Sequence, residues 1–457
     1  MASFTTQEVA RATAGSWLTP VRADVCFTSV DTDTRMITKD CVFVAFKGES
    51  FDGHAFVLDA IQKGAAGAIV SEVRDEYKDA GVPIYVVSDT LKAYQDLARF
   101  HRRRFHIPIV AVTGSVGKTT TRNMIATVLA QKLNVLQTEK NFNNEIGLPK
   151  TLLQLTPQHE ACVVEMGMRG LGQIAELAAI AEPTIGVVTN VGKSHIELLG
   201  SQENIAKAKC ELVDALDEQG IAILNQDDHF VASMADRCKG KVVGYGIESN
   251  APIRADRIAA SEKGIHFTCH SFDQVFDVNV PVIGLHNVYN ALAAVAVGRV
   301  VGLSEHQVTK GLAEYKGVPM REEIIRMGNY TFINDAYNAN PASMVTSIHT
   351  LAHLTKGRKI AVLGGMLELG DWAQKEHEAI GTEIAKEHID VLIAMGELAG
   401  YIASAAKAAG MEDVYTASDH AGVADILTDI IKPGDTILLK ASRGFAMEKI
   451  LPYFERK

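Results

Sequence analysis

The stretch "IPIVAVTGSVGKTTT", Ile107 to Thr121, decides how the rest of the chain is read. A β-branched apolar run gives way to two glycines, then to Lys118, Thr119 and Thr120, which open the helical pattern "TTRNMIATVLAQ". Strand, glycine loop and helix in that order are the setting a phosphate-binding loop requires. Gly114, Ser115 and Gly117 let backbone N–H groups approach an anion, and the helix start adds positive potential. Lys118 is expected to reach the β- and γ-phosphates and Thr119 to ligate Mg²⁺, with Thr120 beside it. The common form of this loop carries one more glycine, at the place of Val112, so a divergent branch of that loop class is expected.

Outward from this unit, short β-branched runs alternate with helical patterns, which reads as α/β with largely parallel sheets. Three blocks are expected: a small mixed α/β segment (1–106), a central nucleotide-binding α/β block (107–316) and a final α/β block (317–457). "RFHRRRFHIP" closes the first and "YKGVPMREE" links the second to the third. In open parallel sheets ligands lie beyond the carboxyl ends of the strands. Thr113–Lys118, Glu165 and Asn190–His195 take that place in the central block. Asp335, Gly364–Gly365, Glu397 and Ser442–Arg443 take it in the last, so two sheets are expected to point their active edges at one cleft.

A formal net charge of −10 argues against a general nucleic-acid or membrane-surface binder. The six cysteines form no CxxC pair, which speaks against a zinc ribbon or disulfide frame. The start "MASFTTQEVARATAG" has no apolar core, and no apolar run approaches membrane-spanning length. A cytoplasmic protein is therefore expected.

Several residue patterns carry chemistry. Glu165 in "VVEMG" and His195 in "NVGKSHIELLGS" follow neighbouring strands and suit metal ligands beside a phosphate. Lys207 and Lys209 share the helical stretch "SQENIAKAKCELVDAL". Either is a charged surface lysine, or one is a buried amine drawn below ~10.4 and able to take up CO₂ as a carbamate. Asn287 and Asn290 in "GLHNVYNALAA" either cap a helix or offer amides to an adenine edge. Asp335 in "INDAYNANPASM" is placed to hold ribose hydroxyls, and Asn143 and Asn144 in "NFNNEIGLP" to touch substrate.

Read together, "TGSVGKTTT", "NFNNEIGLPKTLL", "VVEMGMRGLGQI", "NVGKSHIELLGSQENIAKAK", "GLHNVYNALAA", "DAYNANPASM", "VLGGMLELG" and "KASRGFAMEK" resemble the Mur ligases over essentially the whole chain. Within them it is most similar to the branch whose amine substrate is a D-alanyl-D-alanine dipeptide. The resemblance implies a UDP-sugar-binding domain, an ATPase domain and a Rossmann-like C-terminal domain that swings to close the site. It matches Lys118, Glu165, His195 and Lys209 to catalytic positions, with Lys209 carbamylated and serving with Thr119, Glu165 and His195 as a Mg²⁺ ligand. Asn287 and Asn290 match the adenine pair, and Arg321 and Asp335 match nucleotide contacts. Thr34, Arg35, Asp52, His54, Asn143, Asn144, Tyr337, Asn338, Asn340, Ser442 and Arg443 match substrate-binding positions.

The implied reaction uses ATP and two Mg²⁺ ions to join UDP-MurNAc-tripeptide to D-alanyl-D-alanine through an acyl phosphate, with ADP and phosphate released. No nucleic acid or membrane partner is implied, and a monomer is the default for an enzyme that opens and closes. Two positions depart from the family pattern: Gly365 and Ala342 stand where Asp is common, near the expected amine site. A sister ligase adding the third amino acid is disfavoured by "EMG" and "DAYNANP". A Mur-like amidotransferase subunit would need a cysteine ribbon, and a nucleotide switch protein would have no use for "NFNNEIGLP".

Overall fold

The computed structural model describes residues 2–18, 21, 25–49, 51–194, 196–354 and 356–455. They form two compact units. The first comprises 1–111, 133–167 and 173–184, and the second 112–132, 168–172 and 185–457.

The first unit contains a five-stranded sheet in the order Gly15–Trp17, Ile84–Val87, Gly67–Val70, Val42–Val44, Val30–Asp31. Its first pair is antiparallel and the others parallel. The runs "VFV" and "GAIV" are wholly buried, as strands covered on both faces must be. Cys41, Phe43, Val57, Val70 and Tyr77 pack there. The helix Thr90–Arg102 starts where Asp89 accepts from the N–H groups of Leu91 and Lys92, and it ends in the basic segment read as a boundary. Farther along, Val135–Gln137 and Ala161–Glu165 pair in parallel, so Glu165 ends a fully buried strand as expected.

The strand Ile109–Thr113 begins in the first unit and ends in the second. In the second unit Ile185–Val188, Ile221–Asn225 and Lys241–Gly246 run parallel. Beyond them the parallel expectation fails. Ile253–Ser261, Gly264–Ser271 and Gln274–Val280 form an antiparallel meander. The last block is a six-stranded sheet in the order Glu323–Met327, Tyr330–Asn334, Thr436–Lys440, Lys359–Gly364, Val391–Met395, Val414–Ala417. Only its first pair is antiparallel. Phe332, Val362, Ile393, Leu427, Ile437 and Ile450 fill one side of it.

All six cysteines are free thiols. No helix among the described residues is long and apolar enough to cross a membrane.

Candidate functional site

In the second unit the phosphate loop is built as its sequence requires. Val112 is fully buried inside the strand, so a glycine there would have no turn to make. The turning falls to Gly114 and Gly117, at φ +151° and +83°. A Cβ on Gly114 would lie 1.9 Å from the Thr189 hydroxyl, and one on Gly117 would lie 2.6 Å from Oδ1 of Asn290. Both positions therefore need glycine for space as well as for backbone.

The loop is held from the neighbouring strand end. The Val116 carbonyl accepts from Thr189 Oγ1 and Asn190 Nδ2, and the Val116 N–H donates to Asn190 Oδ1. Ser115 Oγ accepts from the Gly192 N–H at 2.8 Å. Thr189 and Asn190 are thus the loop's clamp, and the amide in "TNVGK" was its only sequence signal. Lys118 folds over the loop, its Nζ donating to the Gly114 carbonyl at 2.8 Å.

The two asparagines of the helix His286–Val300 do not cap it. Asn287 donates to the Ile283 carbonyl, Asn290 donates to Asn287, and Thr121 of the phosphate-loop helix donates to Asn290 Oδ1. The amide pair is thereby fixed against Gly117, both residues buried.

Lys207 and Lys209 part company on the helix Gln202–Asp214, whose start is capped by Ser201. Lys207 is exposed, whereas Lys209 lies on the buried face with Ile205, Ala208 and Leu212. Its side chain makes no ion pair or hydrogen bond among the described residues. Burial first, then the nearby Lys118 charge, draws the Lys209 amine well below its ordinary value.

The last block meets this region directly. Arg321 Nη2 donates to Thr119 Oγ1 at 3.1 Å, and its guanidinium lies 4.2 Å over the Tyr337 ring. Asn340 donates to Ser194 at 2.7 Å while its Oδ1 accepts the Ser343 N–H at the start of the helix Pro341–Leu354. Lys193 pairs with Glu376. The Thr120 hydroxyl lies at Tyr315. His195 lies outside the described residues.

Other expected site residues have partners within the last block. Asp335 is buried, with Ser347 and Lys440 both donating to its Oδ2. The Asn338 carbonyl accepts from Lys440. Ser442 accepts from the Leu367 N–H, and Arg443 pairs with Glu448. At the departures from the family pattern, a Cβ on Gly365 would meet Phe445 at 2.9 Å and Leu398 at 3.0 Å, so the Phe445 ring fills that space. Ala342 faces Gly192.

Within the first unit, Asn143 donates to Glu165 at 2.8 Å, and Glu165 is buried. Asn144 has a structural part: its Oδ1 accepts the N–H groups of Ile146 and Gly147 and organises the turn into the helix Gly147–Leu152. His54 also faces inward. Asp52 lies 2.7 Å from its Nδ1, while its Nε2 accepts from the Ser71 and Glu72 N–H groups. The ring therefore staples a turn, and Arg74 joins it through Asp52. Arg35 is spent on Asp33, whose carboxyl it holds at about 2. Thr34 contributes its hydroxyl at Asp59.

Comparisons with known proteins follow the same order along the chain. The family models for the Mur ligase family catalytic domain, the Mur ligase middle domain and the Mur ligase glutamate ligase domain match residues 27–102, 112–298 and 320–443. A Synechocystis protein named UDP-N-acetylmuramoyl-tripeptide–D-alanyl-D-alanine ligase is 39% identical over 440 residues, covering 95% of this chain and 93% of its own. This chain belongs to the Mur ligase family. A Bacillus subtilis Mur ligase of the same name is 36% identical, covering 99% and 98% of the two chains. The structure of MurF from Acinetobacter baumannii superposes with a TM-score of 0.93 at 31% identity, covering all of both chains. That of MurF from Thermotoga maritima, in complex with ADP, gives 0.85 at 30% identity over 94% and 97%. The three-domain layout of the Mur ligases accommodates both sheets of the second unit and the mixed sheet of the first.

Proposed function

We propose that this Mur ligase joins D-alanyl-D-alanine to UDP-MurNAc-tripeptide at the expense of ATP, releasing ADP and phosphate in the cytoplasm. The observation that carries this reading is Arg321 of the last block reaching Thr119 at the phosphate loop, in a chain similar end to end to ligases of that name. Domains are proposed at 1–106, 107–316 and 317–457. The first takes the UDP sugar through the segments around Thr34, Arg35, Asp52 and His54, and Asn143 and Asn144 of the second touch the substrate.

In the second unit, the backbone N–H groups of the loop and Lys118 hold the terminal phosphates, and the clamp by Thr189 and Asn190 keeps those donors aimed before nucleotide arrives. Asn287 and Asn290 receive the adenine. Arg321 and Asp335 hold the nucleotide from the last block. Tyr337, Asn338, Asn340, Ser442 and Arg443 line the side from which the amine enters.

Magnesium bound here neutralises charge on the transferring phosphoryl group and lets two anions approach. Thr119 and Lys209 are the ligands this unit supplies. Lys209 suits the carbamate role because it is buried without a counter-ion among the described residues, and a neutral amine is what reacts with CO₂. Glu165 and His195 as further ligands rest on the family resemblance alone.

The tripeptide carboxylate attacks the γ-phosphorus, the β–γ bridging bond breaks, and ADP leaves. The dipeptide amine then attacks the acyl carbon, the carbon–oxygen bond to phosphate breaks, and a proton leaves the nitrogen. Closure of the last block over the loop excludes water that would hydrolyse the acyl phosphate.

The test is phosphate release from ATP with UDP-MurNAc-tripeptide, with and without the dipeptide, and the mass of the product. Release requiring both, with a pentapeptide formed, is expected. Release instead with the UDP-dipeptide and a diamino acid would make the chain the sister ligase.

A further inference from the structure

A charged cluster sits where the linker enters the last block, behind the residues assigned to the nucleotide. Met320 and Glu322 both hold left-handed backbone, at φ +59° and +50°, which drives the Glu322 side chain inward until only 8% is exposed. Its Oε1 accepts from Thr350 at 2.9 Å. Its Oε2 has no hydrogen-bond partner among the described residues and stands 3.2 Å from Nε2 of His286. The Glu322 N–H donates to Oδ1 of Asp335.

The charged groups facing Glu322 are Asp335 and Lys440 from two strand ends, and His286 from the start of the neighbouring helix. Thr350 and Ser347 are the polar neighbours on the helix Pro341–Leu354. Burial lowers His286 to about 4, so it is neutral. If Glu322 were ionised, two carboxylates would share one buried ammonium, since Lys440 already serves Asp335. A protonated Glu322 balances the cluster, and its O–H would have His286 Nε2, 3.2 Å from Oε2, as an acceptor.

We propose that Glu322 is a positioning residue for the nucleotide, working as a neutral carboxylic acid that ties His286 to Asp335. His286 precedes Asn287 in the helix that carries the amide pair, and Arg321 precedes Glu322 in the linker. One residue therefore sets the adenine, ribose and phosphate contacts relative to one another, its carboxyl facing His286 and its N–H held by Asp335. The inference rests on the ATP-dependent reading above. Burial and the Asp335 charge both raise the Glu322 carboxyl well above its ordinary value. The tied arrangement is accordingly complete at low pH and is lost as pH rises through that raised value.

The test uses the full chain and two variants, Glu322→Gln and Glu322→Ala, with ADP binding followed by calorimetry from about pH 6 to about pH 9. Glu322→Gln should bind as wild type does near neutrality and should lack the wild-type weakening at high pH. Glu322→Ala should bind about tenfold more weakly than wild type at low and neutral pH, the gap closing as the wild type weakens at high pH, with the loss falling on KM for ATP more than on kcat. A flat wild-type profile, or a Gln variant that keeps the alkaline weakening or is as impaired as Ala, would overturn the proposal. ADP binding needs no amine substrate, so this outcome reads separately from whether the chain ligates D-alanyl-D-alanine.

Discussion

Lys209 shows how far a single residue can be read from sequence. Two lysines two positions apart look alike in a string of letters, and only helix phase separates them. Ile205, Ala208 and Leu212 put Lys209 on the buried face and leave Lys207 in water. Family resemblance had favoured Lys209, but the local pattern alone left the choice open. Replacing Lys209 by Ala should nearly abolish turnover, with partial recovery when short carboxylates are added. Full activity without added carboxylate would show that the buried amine has no part in the reaction. Lys118→Ala should lower kcat/KM by about a hundredfold or more, since a donor aimed at developing phosphate charge is lost. A variant within a few-fold of wild type would remove the phosphate-loop assignment. The turn contacts of Asn144 and His54 were not legible at this scale for one reason. Side chains that organise tight turns have the same polar character as those that meet substrate, and only the partners tell them apart.

At the scale of elements, parallel strands were legible because each is a short, largely apolar and wholly buried run. The antiparallel meander was not. Its first strand alternates only as far as Asp256, where a register shift and the left-handed Arg257 interrupt the period of two. The helix Thr90–Arg102 carries a pH dependence that can be measured. His101 is buried, its Nε2 donating to the Leu155 carbonyl and its Nδ1 accepting from Arg104. Burial first, offset in part by the Leu155 contact, brings the imidazole down to about 4. The unfolded chain therefore takes up a proton before the folded one, and stability present above about 6.5 is lost as pH falls toward about 4. By pH 5 the loss from this group is about 2 kcal/mol. Urea unfolding of wild type and His101→Gln should show that share of the acid dependence missing in the variant; parallel curves would assign it elsewhere. In the last sheet, Gly365→Asp forces a side chain into the space of Phe445 and Leu398. It should destabilise by about 1–3 kcal/mol. Phe445→Ala in the same chain should relieve part of that cost, a coupling that a double-mutant cycle reads directly. Additive losses would mean the two positions do not compete for space.

At the scale of the whole molecule, the order of motifs along the chain carried more than any one of them. A phosphate loop alone allows a motor, a switch or a kinase. Its combination with an amide loop, a buried lysine and a second α/β block allows a ligase that activates a carboxylate. What sequence could not supply was the set of contacts between the middle and last blocks. Arg321 to Thr119, Asn340 to Ser194 and Lys193 to Glu376 join residues far apart in the chain, and no local pattern encodes such pairs. The central claim is that phosphate is spent on activating the tripeptide carboxylate. It is tested most directly by labelling that carboxylate with ¹⁸O and analysing the inorganic phosphate released when ATP, the tripeptide substrate and D-alanyl-D-alanine are all present. An acyl phosphate requires one labelled oxygen to leave with each phosphate, and that is the expected result. Pentapeptide formed with unlabelled phosphate would show that the carboxylate oxygen never reached phosphorus, and would contradict the account.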